Sequence, residues 1–300
     1  MNLDLDGHAI ALTNTDRVVF EEIGLTKGDV IAYYADVASV MLPELRDRPL
    51  TLERFTKGIE AGGFYQKHAQ KHYPAWIRRV ELGLKKPVAY PICDTAAALV
   101  YLANQGGFVF HIWTSRAAAP DRPDLLVFDL DPPEGGITAV RTVARLIRDA
   151  FEALELPAFL KTTGGKGLHV CAPLDGDASY PQVHALTSAI NARLCERHPD
   201  LVTTEFYKKD RKGRVFLDTM RNTIGATVVA PYSLRGRASA PVSAPITWSE
   251  LDTIAPDGIT LRDVRARLDR LGDPWATLRT KPGSVTRATE LVSGKGVVLH

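Results

Sequence analysis

The 300-residue sequence predicts a mixed α+β fold built around a mixed sheet. Two observations carry this. An amphipathic helix pattern lies between two strand patterns, as in a βαβ crossover, and two Gly- or charge-rich turns signal hairpins, whose strands run antiparallel. From the N-terminus, residues 25–45 (LTKGDVIAYYADVASVMLPEL) place Val30, Tyr33, Tyr34, Val37, Val40 and Met41 at helical spacing, with Thr26 as N-cap. Residues 106–113 (GGFVFHIW) read as a buried strand, and the Pro-containing segment 115–124 reads as a loop. The run LLVFDLDPPEGG follows, an apolar strand stopped by prolines and glycines.

Residues 137–156 then put Val140, Val143, Ile147, Ala150, Phe151 and Leu154 on one helical face. AFLKT and LHVCAPL are strands joined by TGGKG, whose glycines supply the positive φ a tight hairpin needs. A helix follows Pro181 to about His198, and LVTTEFYKK and RVFLD flank DRKG, the second hairpin signal. The Pro/Ala/Ser-rich stretch 237–247 reads as a connector to a terminal helical piece. There is no internal repeat and no low-complexity tail.

Composition narrows the class of protein. Hydrophobic content of 45% and charged content of 24% are ordinary for a soluble globular chain of one large or two coupled units. No run approaches the roughly 18 apolar residues of a membrane helix, and the N-terminus lacks the apolar core of a signal peptide. The expectation is a cytoplasmic protein with no membrane partner. Cys93, Cys171 and Cys195 lack C-x-x-C spacing, which argues against a disulfide framework or a thiolate zinc site. A net charge of +2 neither requires nor excludes nucleic acid.

The chemistry starts at Asp129 and Asp131. In a strand, residues two apart share a face, so the two Cα atoms stand roughly 7 Å apart. Like charges that close call for a cation, and hard oxygen ligands suit Mg²⁺ or Mn²⁺. Asp218, closing the strand RVFLD, is a candidate third carboxylate, and three carboxylates can hold two divalent ions for phosphoryl chemistry. Plain turn aspartates are the alternative. In TTGGKGLHV, Thr163, Lys166 and His169 offer hydroxyl, point charge and imidazole to an anion, although the spacing is not that of a Walker loop. An exposed hairpin tip and a core histidine are the alternative there. Arg221, Arg235 and Arg237 fit triphosphate or nucleic-acid recognition, with a solvated loop as the alternative. Residues 62–79 interleave Phe64, Tyr65, Tyr73 and Trp76 with Lys67, Lys71, Arg78 and Arg79, a pattern suited to stacking on bases and tracking phosphates.

Taken together, these residues resemble the archaeo-eukaryotic primase superfamily. The match is closest to the polymerase domain of bacterial ATP-dependent DNA ligase D. LTNTDRVVF, LTKGDVIAYY, GFYQK, FDLDPP, GGKGLHV and APYSLRGR carry the resemblance in the same order. It implies one primase-polymerase domain over 1–300, with an N-terminal α/β subdomain (1–115) contacting DNA and 5′-phosphate. An RRM-like mixed-sheet catalytic core (120–237) and a connector with a C-terminal helical part (238–300) follow. It implies a metal triad of Asp129, Asp131 and Asp218, with two Mn²⁺ or Mg²⁺ ions per site. It implies an NTP or dNTP site at Thr163, Lys166, His169, His111, Arg235, Arg237, Phe64, Tyr65, Lys67 and Arg221. A DNA 5′-phosphate pocket is implied at Asn14, Arg17 and Lys27. Thr163 stands where serine is usual, Tyr65 where phenylalanine is common, and Arg17 where lysine is frequent.

The implied activity is nucleotidyl transfer to a primer 3′-OH at gaps and double-strand breaks in bacterial non-homologous end joining, with Mn²⁺ preference and ribonucleotide incorporation. Implied partners are DNA ends, gapped DNA with a 5′-phosphate, ligase and phosphoesterase modules, fused or separate, and the Ku end-binding protein. The adenylating K-x-D-G motif is absent, since Lys208-Lys209-Asp210-Arg211 lacks the glycine, so no sealing activity is expected. A Mn²⁺-dependent glycosyltransferase with an Asp-x-Asp motif, or a non-catalytic break-end binding module that recruits a ligase, are the alternatives.

Overall fold

The computed structural model describes residues 2–83, 86–133, 136–218 and 220–294, so Glu134 and Gly135 of the aspartate motif and the last residues of the 238–300 part lie outside it. The chain divides into two compact units whose segments interleave. The first comprises 1–118, 227–244 and 258–273, and the second 119–226, 245–257 and 274–300. The residues expected as a C-terminal part are therefore shared between the two.

The second unit is built on a six-stranded sheet in the order Val202–Thr203, Val215–Asp218, Leu125–Asp131, Leu168–Pro173, Phe159–Thr162, Pro245–Ile246. The strands Leu125–Asp131 and Phe159–Thr162 both run antiparallel to Leu168–Pro173, so they are parallel to each other with that strand inserted between them. The helix Ile137–Ala153 joins them, which makes the expected βαβ crossover a split one. Its buried face is Val140, Val143, Ala144, Ile147, Ala150 and Phe151. The helix ends before residue 156, because Leu154 caps it and Glu155 turns into the left-handed region at φ 57°. Phe128 packs edge-on against Phe151 with ring centroids 5.6 Å apart, so one face of the aspartate strand is core and the other is free for chemistry. The helix Tyr180–Arg197 begins at a capping box of Ser179 and Gln182, with Pro181 in its first turn.

One hairpin expected from sequence does not form. Val202–Thr203 pairs with Val215–Asp218 in parallel, not antiparallel. The carbonyls of Glu205, Phe206 and Asp210, which would serve a ladder, are taken by the guanidinium groups of Arg211 and Arg214. The cations of DRKGR thus satisfy the backbone that a second hairpin strand would have paired. The 237–247 segment is also not a solvated connector. Its small residues Ala240, Val242, Ser243 and Ala244 are buried, and Pro245–Ile246 adds the last strand to the sheet.

The first unit holds an antiparallel four-stranded sheet ordered Thr227–Val229, Gly107–Trp113, Leu50–Arg54, Phe64–Gln66. The segment read as helical from Thr26 onward is two helices, Lys27–Asp36 and Ala38–Leu45, broken where Val37 leaves helical geometry at ψ 1°. Thr26 caps the first in a capping box with Asp29. Among the described residues no helix is long and apolar enough to cross a membrane.

Removing the ring that closes the core against the aspartate strand, Phe151→Ala, is expected to cost about 3–5 kcal/mol. Urea unfolding measures this, and an unshifted midpoint would refute the packing.

Candidate active site

The register of the second unit's sheet places a row of ionisable residues across four strands. Asp129 faces Asp218 on one side and His169 on the other, and His169 in turn faces Lys161. Directly opposed residues share a face with Cβ atoms about 5 Å apart, so all four side chains stand on the same side of the sheet. Asp131, two residues on from Asp129, shares that face and opposes Phe216. Asp129, His169 and Lys161 are buried, whereas the Asp131 carboxylate is half-exposed.

Each carboxylate has a cation at hand. Arg221 Nε lies 3.0 Å from Asp129 Oδ2 and 3.3 Å from Asp218 Oδ2, and Asp218 Oδ1 accepts the Met220 N–H at 2.8 Å. Arg211 Nη1 stands 4.0 Å from Asp131 Oδ2. Burial alone would raise the Asp129 carboxyl, but His169 and Arg221 outweigh it and hold the group well below the carboxylate range. Burial, then the charge on Asp129, push Asp131 up. Burial, and next Lys161, push the His169 imidazole down to about 4. His169 is therefore neutral near pH 7, and the charge that holds Asp129 ionised there is Arg221. Since a carboxylate only accepts, His169 donates its Nε2–H toward Asp129 Oδ1 at 3.3 Å, leaving Nδ1 buried and without a partner among the described residues.

The three carboxylates are hard oxygen donors on one sheet face, a donor set that fits Mg²⁺ or Mn²⁺. Arg221 marks the place between Asp129 and Asp218 where positive charge is stabilised. Among the described residues, no three His, Cys, Asp or Glu side chains form a ready-made metal cluster.

The GGKG turn sits directly on the aspartate strand. A Cβ at Gly167 would stand 2.3 Å from the Leu130 carbonyl oxygen, so only glycine lets the turn pass there. The Thr163 hydroxyl, expected to serve phosphate, is committed to the turn: it donates to the Gly167 carbonyl at 2.9 Å and accepts from the Gly165 and Gly167 N–H groups. Lys166 is left exposed at the tip. It lines a cleft of about 760 Å³ together with Pro132, Lys208, Arg211 and Arg214.

The remaining candidate residues lie in the first unit. Asn14, Arg17 and Lys27 are drawn together by backbone bonds from Arg17 N to Asn14 O and from Lys27 N to Arg17 O. Gly28 closes this corner, with its N–H 2.7 Å from the Thr15 carbonyl and no room for a Cβ. Lys27 is buried at the start of its helix, with Nζ 2.6 Å from the Thr13 carbonyl, and burial, then Arg17, lower its ammonium to about 8. Tyr65 meets His111 edge-on at 5.6 Å, on the face that also carries Glu53. The charge of Arg235 acts on Glu53. Phe64 points to the opposite face, under the Arg54 guanidinium, so the two aromatics do not form one surface. Lys67 and Arg237 are exposed.

Residues 26–275 match the family described as LigD, primase-polymerase domain. The chain belongs to that family. It is 38% identical over 274 residues to the multifunctional non-homologous end joining DNA repair protein LigD of Mycobacterium tuberculosis, covering 88% of this chain and 36% of that protein. It is 32% identical over 293 residues to the LigD of Pseudomonas aeruginosa, covering 96% and 35%. The chain thus spans about a third of the length of these relatives. The polymerase domain of Mycobacterium tuberculosis ligase D, in complex with DNA, superposes with a TM-score of 0.86 at 36% identity, over 91% of this chain and 99% of that one. The mixed α+β fold is that of a LigD polymerase domain.

Three residues of this LigD-type site escaped the sequence reading. Lys161 lies in a strand whose apolar neighbours conceal it. Arg211 reads as one charge in a polar turn. Asn222 was hidden beside Arg221: its amide donates to the Val127 carbonyl at 2.8 Å and accepts the Val127 N–H at 3.0 Å, continuing the ladder where the Val215–Asp218 strand stops. Only its place after D-x-x-R could have signalled it. Asn222→Ala strands two buried backbone groups and is expected to cost about 2–4 kcal/mol. Thermal or urea denaturation tests this, and a loss below about 0.5 kcal/mol would refute the brace.

Proposed function

We propose that the chain is a template-dependent nucleotidyltransferase that extends a DNA primer end, with Asp129, Asp131 and Asp218 as ligands of divalent metal. The observation that carries this reading is the placement of three carboxylates on one sheet face beside a cleft lined by Lys166, Lys208, Arg211 and Arg214. Carboxylates alone would repel a nucleoside triphosphate, and cations alone would bind it without activating an attacking oxygen. Divalent metal, when bound, supplies Lewis acidity at the reacting phosphorus and lowers the pKa of the primer 3′-OH.

The protein's own residues hold the substrates. Lys166, which makes no ion pair among the described residues, offers its ammonium to the triphosphate from a turn that Thr163 braces and Gly167 seats on the aspartate strand. Arg221 keeps Asp129 ionised, so that carboxylate stays available as an oxygen ligand at neutral pH. Primer 3′-oxygen attacks the α-phosphorus and the bond to the β,γ-diphosphate breaks, releasing pyrophosphate. Lys166 and the cleft arginines stabilise the charge that gathers on that leaving group. His111, Tyr65, Arg235 and Arg237 would contact base and sugar. Mn²⁺ in preference to Mg²⁺, ribonucleotide incorporation, and action with ligase and phosphoesterase modules and with the Ku protein complete the reading.

Asp129→Ala or Asp131→Ala should abolish extension of a primer across a 5′-phosphorylated gap while DNA binding survives. Extension retained in either variant would sink the metal assignment.

The Asn14, Arg17 and Lys27 corner would take the 5′-phosphate on the far side of the gap. It brings two cations, Arg17 and Lys27, close enough to act on one anion. Because Lys27 titrates near 8, its charge, and with it phosphate affinity, falls as pH rises from 7 to 9. Binding an anion raises the ammonium back toward its ordinary value, so protons are taken up near pH 8. Calorimetry of gapped DNA with and without the 5′-phosphate, in two buffers of different ionisation enthalpy, reads both effects. Lys27→Ala should weaken the phosphorylated gap much more than the unphosphorylated one, and equal losses would count against the pocket.

A further inference from the structure

One exposed pair of rings in the second unit has no role in the chemistry above. Phe206 and Tyr207 expose 70% and 66% of their surface, with ring centroids 5.4 Å apart at 85°. Lys208, Lys209 and Lys212 follow directly, exposed and making no ion pair among the described residues.

These rings are presented, not merely left out. Arg211 donates from Nε to the Glu205 carbonyl at 3.2 Å and from Nη2 to the Phe206 carbonyl at 3.0 Å. Its guanidinium lies 4.0 Å over the Phe216 ring, and its remaining nitrogen faces Asp131. Arg214 holds the carbonyls of Arg211 and Asp210. The backbone under the aromatic pair is thus pinned by an arginine whose other end reaches the candidate active site.

Two apolar rings held in water need an occupant, and the charge around them says which. Segment 204–214 carries five cations against two carboxylates. The core of a protein–protein interface is depleted of lysine, whereas aromatic rings beside lysines match unpaired bases and their phosphates. In a duplex the base faces are already stacked, so a single strand is the fitting partner.

We propose that Phe206 and Tyr207 form a stacking platform for the unpaired bases of a single-stranded nucleic-acid end, with Lys208, Lys209 and Lys212 on its phosphates. Because Arg211 links the Phe206 carbonyl to Asp131, the strand held there is assigned as the one being extended, a reading that rests on the proposed transfer reaction. The platform itself does not depend on that reaction.

The test is fluorescence anisotropy of an oligothymidylate against the full chain, with chelator present and no nucleotide. Alanine at both rings should lower affinity about 10- to 100-fold. Tryptophan at both should retain it within about threefold, and leucine at both should lose it as alanine does. Replacing the three lysines with glutamine should flatten the slope of log affinity against log salt by about two. A blunt 5′-phosphorylated duplex should lose less than about twofold in the alanine variant, because bases already stacked gain nothing from the rings. Full affinity in the alanine or leucine variants overturns the platform. So does an equal loss on the duplex, or sedimentation showing that the rings instead join two copies of the chain. A chain that shows the expected pattern but adds no nucleotide refutes the transfer reaction and leaves the platform standing.

Discussion

The second unit depends on the register of one strand. Leu125–Asp131 pairs antiparallel with a neighbour on each side, which brings Asp218, Asp129 and His169 into one row that the next pairing extends to Lys161. A slip of a single residue would turn Phe128 and Leu130 toward the carboxylates and bury Asp129 against the helix Ile137–Ala153. The core therefore enforces the site: the same alternation that packs Phe128 on Phe151 aims Asp129 the other way. Gly167 and Asn222 protect this register from both flanks, one by letting the GGKG turn lie on Leu130, the other by holding Val127.

Concentrating charge in that row has a cost, and the structure offsets it locally. Three carboxylates on a sheet face would repel each other, and burial would drive them to accept protons. Arg221 bridges two of them, and Arg211 approaches the third. The result separates the carboxyls into a strongly ionised Asp129 and a more basic, exposed Asp131. The cations do a second task, since Arg211 also holds the carbonyls of Glu205 and Phe206 and so decides that a parallel crossover replaces a hairpin.

The first unit relies on one helix in a similar way. Lys27 opens the helix Lys27–Asp36 beside Asn14 and Arg17, and further along it Tyr33 donates to the Tyr232 carbonyl at 2.7 Å while Tyr34 accepts the Leu234 N–H at 3.1 Å. A single rigid element thereby positions both Lys27 and the backbone leading to Arg235. Tyr232, held at φ 63° in a region bulky residues avoid, shows how firmly that backbone is set.

Local pattern was enough for much of this protein. Period-two and period-3.6 apolar spacing marked the aspartate strand, its crossover helix and the GGKG hairpin, because those elements are stabilised by contacts within a short stretch of chain. Residue chemistry was likewise enough to nominate Asp129, Asp131, Asp218, Lys166 and His169, since few other side chains can hold metal and phosphate. The folded chain alone decided which strand lies beside which, and therefore that Asp218 opposes Asp129 and that His169 opposes it from the other side. It also decided that Arg221 binds carboxylates, that the Thr163 hydroxyl braces a turn, and that 202–203 runs parallel to 215–218. Those outcomes depend on pairings between residues far apart in the chain, where long-range packing and charge compensation outweigh any local preference.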